Sequence, residues 1–339
     1  MATRRKKMLV LRFSALGDVA MTIPVIYSLA RHYPDLDVTV VTRPFFARLF
    51  IGAPSNVNVM AVDLKKEYRG PWGLIKLLHK LKTLHPDYVA DLHNVLRTWT
   101  IDRYFKILGA KVEMVDKNRR DRHKLFESGE HQRDYIDRYA DVFTRLGYPV
   151  QPTFRSLFER DGMPSVPLEI HHPAIGIAPF ARYTNKTYPP RQMLRVVKHL
   201  TSIGYNVYLF GATGKESEQL SAWAGQTDRC TSVAGAYPID EELAIMAAMD
   251  LMVAMDSSNH HLASLAGTKV LSIWGGTTPA CGFMAYGQAP DRALHLSLPC
   301  QPCSVAGSDS CRLGDFRCLC TLSPETVIER ITSIVAPGL

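Results

Sequence analysis

The residue of this chain best placed to do chemistry is Asp18, set apart from the short apolar run 8–13 by Ser14-Ala15-Leu16-Gly17 and followed by a helical apolar pattern through Met21, Val25 and Leu29. That spacing puts one carboxylate at the mouth of a first strand. Open α/β sheets bind ligands beyond the carboxyl ends of their strands, where helix N-termini present free N–H groups, so a carboxylate there meets substrate. The same residue would also serve as a helix cap, a role worth about 1 kcal/mol for Asp.

Two further loops hold groups suited to an anion. The first follows the apolar run 174–178 and reads PFARYTNKTYP; it sets Arg182 and Lys186 among hydroxyl and amide groups, and a lysine ammonium is a compact charge for phosphate oxygens. The second follows the run 251–254 and reads Asp256-Ser257-Ser258-Asn259-His260-His261, with a helix starting as it ends. Ser257, Ser258 and Asn259 are competent N-caps, and the same helix start would hold a pyrophosphate with His261 as a further donor. Adjacent histidines on a helix diverge by about 100°, which argues against a metal held by Asp256, His260 and His261. A carboxylate in one half of the chain and a cationic helix start in the other point to group transfer from a phosphate-bearing donor. A nicotinamide oxidoreductase is the rival. It would show GxGxxG after a strand, and neither the segment 14–18 nor Gly211-Ala-Thr-Gly214 completes that fingerprint or a P-loop.

The elements that must position these loops alternate short apolar runs with helical periodicity, the pattern of parallel βαβ units. Strands are expected at 8–13, 38–42, 57–62, 88–92 and 112–115, with helices at 18–32, 71–84 and 133–146. The pattern lapses over 147–172, which holds Pro149, Pro152, Pro164 and Pro167 and reads as a domain connection. A second series follows, with strands at 174–178, 206–210, 251–254 and 269–273 and helices at 191–202, 215–224, 241–249 and 260–266. The fold class is therefore α/β with two doubly wound, Rossmann-like domains, at 1–160 and 161–339, facing a central cleft of the kind that favours small-molecule sites. The length, 339 residues, suits two cores better than one.

Charge separates the halves: residues 1–160 carry 28 Lys and Arg against 17 Asp and Glu, whereas residues 161–339 carry 12 against 15. The first half is thus expected to meet something anionic. Its densest run, KNRRDRHK at 117–124, offers Arg119, Arg120, Arg122 and Lys124, and would equally suit a solvated loop. Nucleic acid is disfavoured, since the chain shows no zinc-finger spacing, RNP-like aromatic motif or helix-turn-helix pattern. No stretch reaches the roughly 20 apolar residues of a membrane span and the opening MATRRKK precedes too short an apolar run for a signal peptide, so the protein is expected in the cytoplasm.

Three segments in order, LRFSALGDVAMTIPVI, APFARYTNKTYPP and DSSNHHLASLAGTKVLSIWGGTTP, give the chain a resemblance to the family 9 glycosyltransferases, typified by ADP-heptose:lipopolysaccharide heptosyltransferases. The resemblance implies a GT-B fold and an inverting, metal-independent transfer of a sugar, without a cofactor, from a nucleotide diphosphate donor to a phosphorylated lipid A and inner-core acceptor. It implies peripheral contact with the inner face of the inner membrane. By position, Asp18 matches the general base. Ser14 and Gly17 flank it as acceptor contacts, with Arg119, Arg120 and Arg122 as candidates for acceptor phosphates. Lys186 matches the lysine on donor phosphate and Asp256 the aspartate near the donor sugar. Ser257 and His261 fall where the family meets the diphosphate, and Arg182, Thr184 and Ser258 complete the donor set. The last helix is left able to pack back on the first domain. Departures are Ser258 in place of a usual Gly, and Gly276 and Thr278 in place of Pro and Asp.

Five of the seven cysteines, Cys300, Cys303, Cys311, Cys318 and Cys320, cluster near the end. CxxC followed by further cysteines suits a structural zinc, but zinc takes four ligands and a cytoplasmic chain keeps thiols reduced, so free thiols or an adventitious disulfide are the other readings.

Overall fold

The computed structural model describes residues 4–120 and 122–336; Asp121 of the basic run and the first three residues lie outside it. The chain divides into two compact units, Met1–Arg119 with Tyr135–Arg160 and Arg120–Asp134 with Asp161–Leu339.

The first part of the chain supplies, in order, β1 (Lys6–Leu11), α1 (Leu16–His32), β2 (Leu36–Thr42), α2 (Pro44–Ala47), β3 (Val57–Ala61), α3 (Gly70–Lys82), β4 (Tyr88–Asp91), α4 (Leu96–Ile107), β5 (Lys111–Met114), α5 (Arg122–Ser128) and α6 (Tyr135–Leu146). The strands form one parallel sheet in the order β3-β2-β1-β4-β5, with Met8 opposite both Val38 and Tyr88. Parallel strands covered on both faces must be apolar throughout, which is why β1 buries Met8, Leu9, Val10 and Leu11 in succession. Right-handed crossovers put α3 and α4 on one face of this sheet, where Leu77, Leu81, Ile101 and Phe105 share a core with Leu9, Leu11 and Val89. Helix α1 packs with α6 and is buried from Val19 to Ala30. The expected connection 147–172 is only partly a linker, because its opening docks on α1. Thr153 N–H donates to Ser28 Oγ at 2.8 Å, and the Phe154 ring meets Tyr27 edge-on.

The second part runs β6 (Ala174–Ala178), α7 (Pro190–Ser202), β7 (Asn206–Leu209), α8 (Lys215–Ala224), β8 (Cys230–Ser232), α9 (Ile239–Ala247), β9 (Leu251–Met255), α10 (Ser258–Leu265), β10 (Val270–Ile273), β11 (Ala293–Leu294), α11 (Arg317–Cys320) and α12 (Pro324–Ile334). Its parallel sheet has the order β11-β10-β9-β6-β7-β8. Helix α12 lays Val327 and Ile331 into the core of this unit beside α7.

The partition at 160 therefore needs one amendment. The segment 120–134, expected in the first domain, belongs to the second unit. Leu125 packs on Ala280 and Cys281, and Gln132 N–H donates to Ala280 O at 2.8 Å. One buried leucine and this backbone pairing hold α5 there, and the charge pattern read in the sequence carried no sign of either.

Candidate functional site

Each sheet reverses direction beside its first strand, between β1 and β4 in the first unit and between β6 and β9 in the second, and the candidate residues stand at these two switch points.

In the first unit β1 ends by burying Arg12, whose guanidinium is held three ways. Nη1 donates to Leu92 O at 2.5 Å, Nη2 pairs with Asp18 Oδ2 at 2.8 Å, and the group lies 5.8 Å from the centre of the Tyr139 ring. Burial pulls the Arg12 pKa down, but Tyr139 and the Asp18 carboxylate more than offset it, and the pKa ends above its ordinary value. Asp18 is the third residue of α1 and accepts the Ala15 N–H at 3.0 Å, so it does cap the helix start. Capping and catalysis are not exclusive here. The carboxylate keeps a solvent-facing portion, with 27% of its side chain exposed, while Arg12 fixes its position.

His93, Asp91 and Asp102 at this switch point went unread in the sequence, and Lys117 was read only as part of the basic run. Ser14 Oγ lies 3.3 Å from His93 Nε2, in the loop that follows β4. Burial, then the charges of Arg12 and Lys117, drives the His93 pKa down to about 3, so the imidazole is neutral at physiological pH and exchanges a hydrogen bond with Ser14 without contributing charge. Lys117 donates to Asn94 O at 3.2 Å, and burial, with repulsion from Arg12 and Arg119, lowers its pKa to about 8. Behind this loop two buried carboxyls meet. Asp91 Oδ1 accepts the N–H groups of His93 and Asn94 at 2.8 Å each, and Asp102 on α4 approaches Asp91, its pKa pushed up to about 8 by burial and by the Asp91 charge. The rule that found Asp18, a polar residue just past a parallel strand, also picks out His93 after β4 and Lys117 after β5.

The basic run is divided between the two units. Lys117 and Arg119 stay with the first unit, while Arg120, Arg122 and Lys124 travel with the second.

In the second unit Lys186 Nζ pairs with Asp256 Oδ2 at 2.8 Å, and Thr277 Oγ1 donates to the same oxygen at 2.6 Å. Lys186 comes from the loop after β6, Asp256 from the end of β9 and Thr277 from the loop after β10, so three strand ends converge on one carboxylate. The Lys186 side chain is 14% exposed and that of Asp256 5%. Next to it α10 begins. Ser257 occupies the N-cap position, yet its hydroxyl makes no cap bond, and Ser257 Oγ is buried without a hydrogen-bond partner. The N-cap expectation is met by position and not by bonding, so the Ser257 hydroxyl leaves the first amides of α10 uncapped.

Asn185 explains why a glycine stands at position 276. Gly276 N–H donates to Asn185 O at 2.6 Å, Ser308 N–H donates to Asn185 Oδ1 at 2.8 Å, and a Cβ on Gly276 would fall 2.2 Å from Asn185 Nδ2. Backbone and buried side chain are in contact, so only the residue without a Cβ fits.

The remaining donor candidates are less tightly gathered. Arg182 is exposed, its guanidinium 5.2 Å from the Tyr183 ring centre, and Thr184 gives both its N–H and its hydroxyl to Asp309 Oδ1 at 3.1 Å. Ser258 opens α10, and His261 is buried one turn inside it. His260 faces the core, edge-on to Trp274, accepting the Ala285 N–H at 3.3 Å. The seven cysteines are free thiols, and among the described residues no three His, Cys, Asp or Glu side chains stand together as metal ligands. A cavity of about 470 Å³ adjoins the cluster through Thr278, walled by Ala280, Leu296 and Leu298 and by His131 from the transferred segment.

A family model for glycosyltransferase family 9 (heptosyltransferase) matches residues 74–311. The chain is similar to lipopolysaccharide heptosyltransferase 3 of Escherichia coli, 24% identical over 77% of this chain and 81% of that one. Among solved structures it resembles a family 9 glycosyl transferase from Veillonella parvula, with a TM-score of 0.73 at 17% identity over 98% of both chains. It also resembles the E. coli heptosyltransferase WaaC with ADP-2-deoxy-2-fluoro heptose, with a TM-score of 0.69 at 16% identity over 96% of this chain and 99% of that one. These likenesses extend over both units, and the GT-B class read from the sequence is the fold of the chain.

Proposed function

Because the chain belongs to glycosyltransferase family 9, we propose that it moves a heptose from ADP-heptose to the inner core of lipopolysaccharide, with inversion at the anomeric carbon. The observation that carries this reading is the Lys186–Asp256–Thr277 cluster beside the uncapped start of α10. A diphosphate needs cations and free N–H donors together, and helix N-termini supply the second. Lys186 has three donors, so it can keep Asp256 while reaching phosphate. Ser257 Oγ, buried without a partner, offers a further hydroxyl. As the donor bond breaks, charge grows on the leaving diphosphate, and groups placed beforehand around it stabilise the transition state more than the ground state. Arg182, Thr184, Ser258 and His261 are proposed as outer contacts of the same donor.

On the first unit Asp18 is the proposed base, taking the proton of the acceptor hydroxyl as that oxygen attacks. Arg12 fixes the position of the carboxylate, and Ser14 and Gly17 line its approach. The acceptor's phosphates are proposed to meet Lys117 and Arg119 on this unit, with Arg120 and Arg122 able to join only from the other. A lipid-anchored acceptor implies peripheral contact with the inner membrane, consistent with the absence of any helix among the described residues long and apolar enough to cross it.

The test is transfer itself. Purified protein, ADP-heptose and a heptose-deficient lipopolysaccharide should give an acceptor heavier by one heptose together with free ADP. A donor sugar altered without any acceptor would instead indicate an isomerase, and no thermal stabilisation by ADP or ADP-heptose would remove the basis for the donor site.

A further inference from the structure

Helices α3 and α4 lie side by side on one face of the first sheet, and both begin at the edge where the strands end, the edge that carries Asp18 and His93. Their first turns are not the polar turns expected of helix starts in water. Trp72 and Ile75 open α3, Leu96 and Trp99 open α4, and their exposures are 83%, 44%, 76% and 44%. The two helices bury their opposite sides in the core through Leu77, Leu81, Ile101 and Phe105, so the exposed residues are a second apolar face and not a misplaced first one. Trp99 is fixed in this position, its indole N–H donating to Asn94 Oδ1 at 2.7 Å.

The charges around this edge select the partner. The loop leading into α3 exposes Lys65, Lys66 and Arg69, Arg97 follows Leu96 on α4, and neither helix has an acidic residue in its first turn. Of the acidic residues in that loop, Asp63 accepts the backbone N–H groups of Lys65 and Lys66 and Glu67 pairs with Lys76 at 2.9 Å, which leaves Lys65, Lys66, Arg69 and Arg97 as an excess of cations at the two helix starts. Exposed tryptophans interleaved with lysine and arginine match the boundary of an anionic bilayer, where indole sits at headgroup level and basic residues meet lipid phosphate. A protein partner would fit the apolar residues equally well but not the excess of cations.

We propose that the edge formed by the first turns of α3 and α4 docks on an anionic phospholipid bilayer, bringing the Asp18 loop to the membrane surface. This rests on the reading that the acceptor is lipid-anchored. It places the docking surface on the first unit alone.

The experiment uses full-length protein and vesicles of phosphatidylglycerol and phosphatidylcholine, with pure phosphatidylcholine for comparison. Of the four tryptophans, Trp223 and Trp274 are buried, so a blue shift of emission on adding vesicles reports Trp72 and Trp99. Wild type should bind the anionic vesicles, lose binding in high salt, and show that shift. The double variant Trp72→Ser, Leu96→Ser should bind about tenfold more weakly or worse. Its Tm should stay as in wild type, since both side chains are exposed, and so should its turnover on a detergent-dispersed acceptor. Lys65→Glu with Lys66→Glu should weaken anionic binding alone. Undiminished vesicle binding by the double variant overturns the proposal. So does a wild-type protein that ignores vesicles but self-associates through these residues. Loss of transfer in detergent by the double variant would overturn a docking role for these side chains, whereas absence of transfer by wild type in detergent would count against the transferase reading alone.

Discussion

Replacing Asp18 by Asn separates its two roles. Asn keeps the side-chain oxygen that accepts the Ala15 N–H, so the helix start is retained, but it removes the charge facing Arg12. Arg12 is then left buried with the Leu92 carbonyl and the Tyr139 ring. Breaking a fully buried ion pair costs about 3–5 kcal/mol; with 27% of the Asp18 side chain exposed, water recovers part of this, and about 1–3 kcal/mol remains. At about 3 °C per kcal/mol for a domain of this size, Tm should fall by about 3–10 °C. The loss of a general base is larger, a factor of about 10²–10⁴ in kcat, or about 3–5 kcal/mol of barrier. Turnover should be measured well below the lowered Tm, with ADP affinity followed by calorimetry. The expected outcome is a kcat lower by at least a hundredfold with ADP binding within about twofold of wild type. If kcat stays within about threefold while Tm drops as calculated, Asp18 is the counter-ion of Arg12 and the base lies elsewhere.

Lys186→Met should weaken ADP binding by about 2 kcal/mol or more, because it removes the cation and leaves the buried Asp256 with only the Thr277 hydroxyl; calorimetry checks this, and unchanged affinity would clear Lys186 of a donor role. Asp102, with a pKa near 8 in the folded chain against about 4 in the unfolded one, takes up a proton on folding between those values. Stability should therefore fall as pH rises from about 4 through about 8, by up to about 1.4 kcal/mol per unit. Asp102→Asn cannot ionise, so the variant should gain on wild type as pH rises from 5 to 9, and parallel urea curves at pH 5, 7 and 9 would refute the raised pKa of Asp102. Gly276→Ala should cost about 1–3 kcal/mol through collision with Asn185, read as a lowered Tm, and a neutral result would mean that the Asn185 loop yields.

The strand order could not have been read directly, but the strands themselves could. Ala174–Ala178 and Lys215–Ala224 match their expected bounds, and most other elements agree within two residues at each end, because parallel strands buried on both faces must be continuously apolar. The elements missed were the ones without a periodic signature. Helix α4 is interrupted by polar residues on its buried side, Thr98 and Asp102, and α5 keeps a single buried leucine.

For the site, sequence alone determined where to look. A polar residue just beyond a parallel strand lies at the edge where such sheets bind ligands, and this rule singled out Asp18, Lys186 and Asp256 as candidates. Tertiary structure decided which of them meet. Lys186 and Asp256 are 70 positions apart, and only the adjacency of β6 and β9 makes them an ion pair. Arg12 could have been a surface charge; burial between β1 and β4 makes it the holder of Asp18. The sequence offered 117–124 as one basic run, and chain packing divides it between the units after Arg119. Spacing along a chain limits what a residue can touch only within one element; between elements, contact depends on which strands share hydrogen bonds.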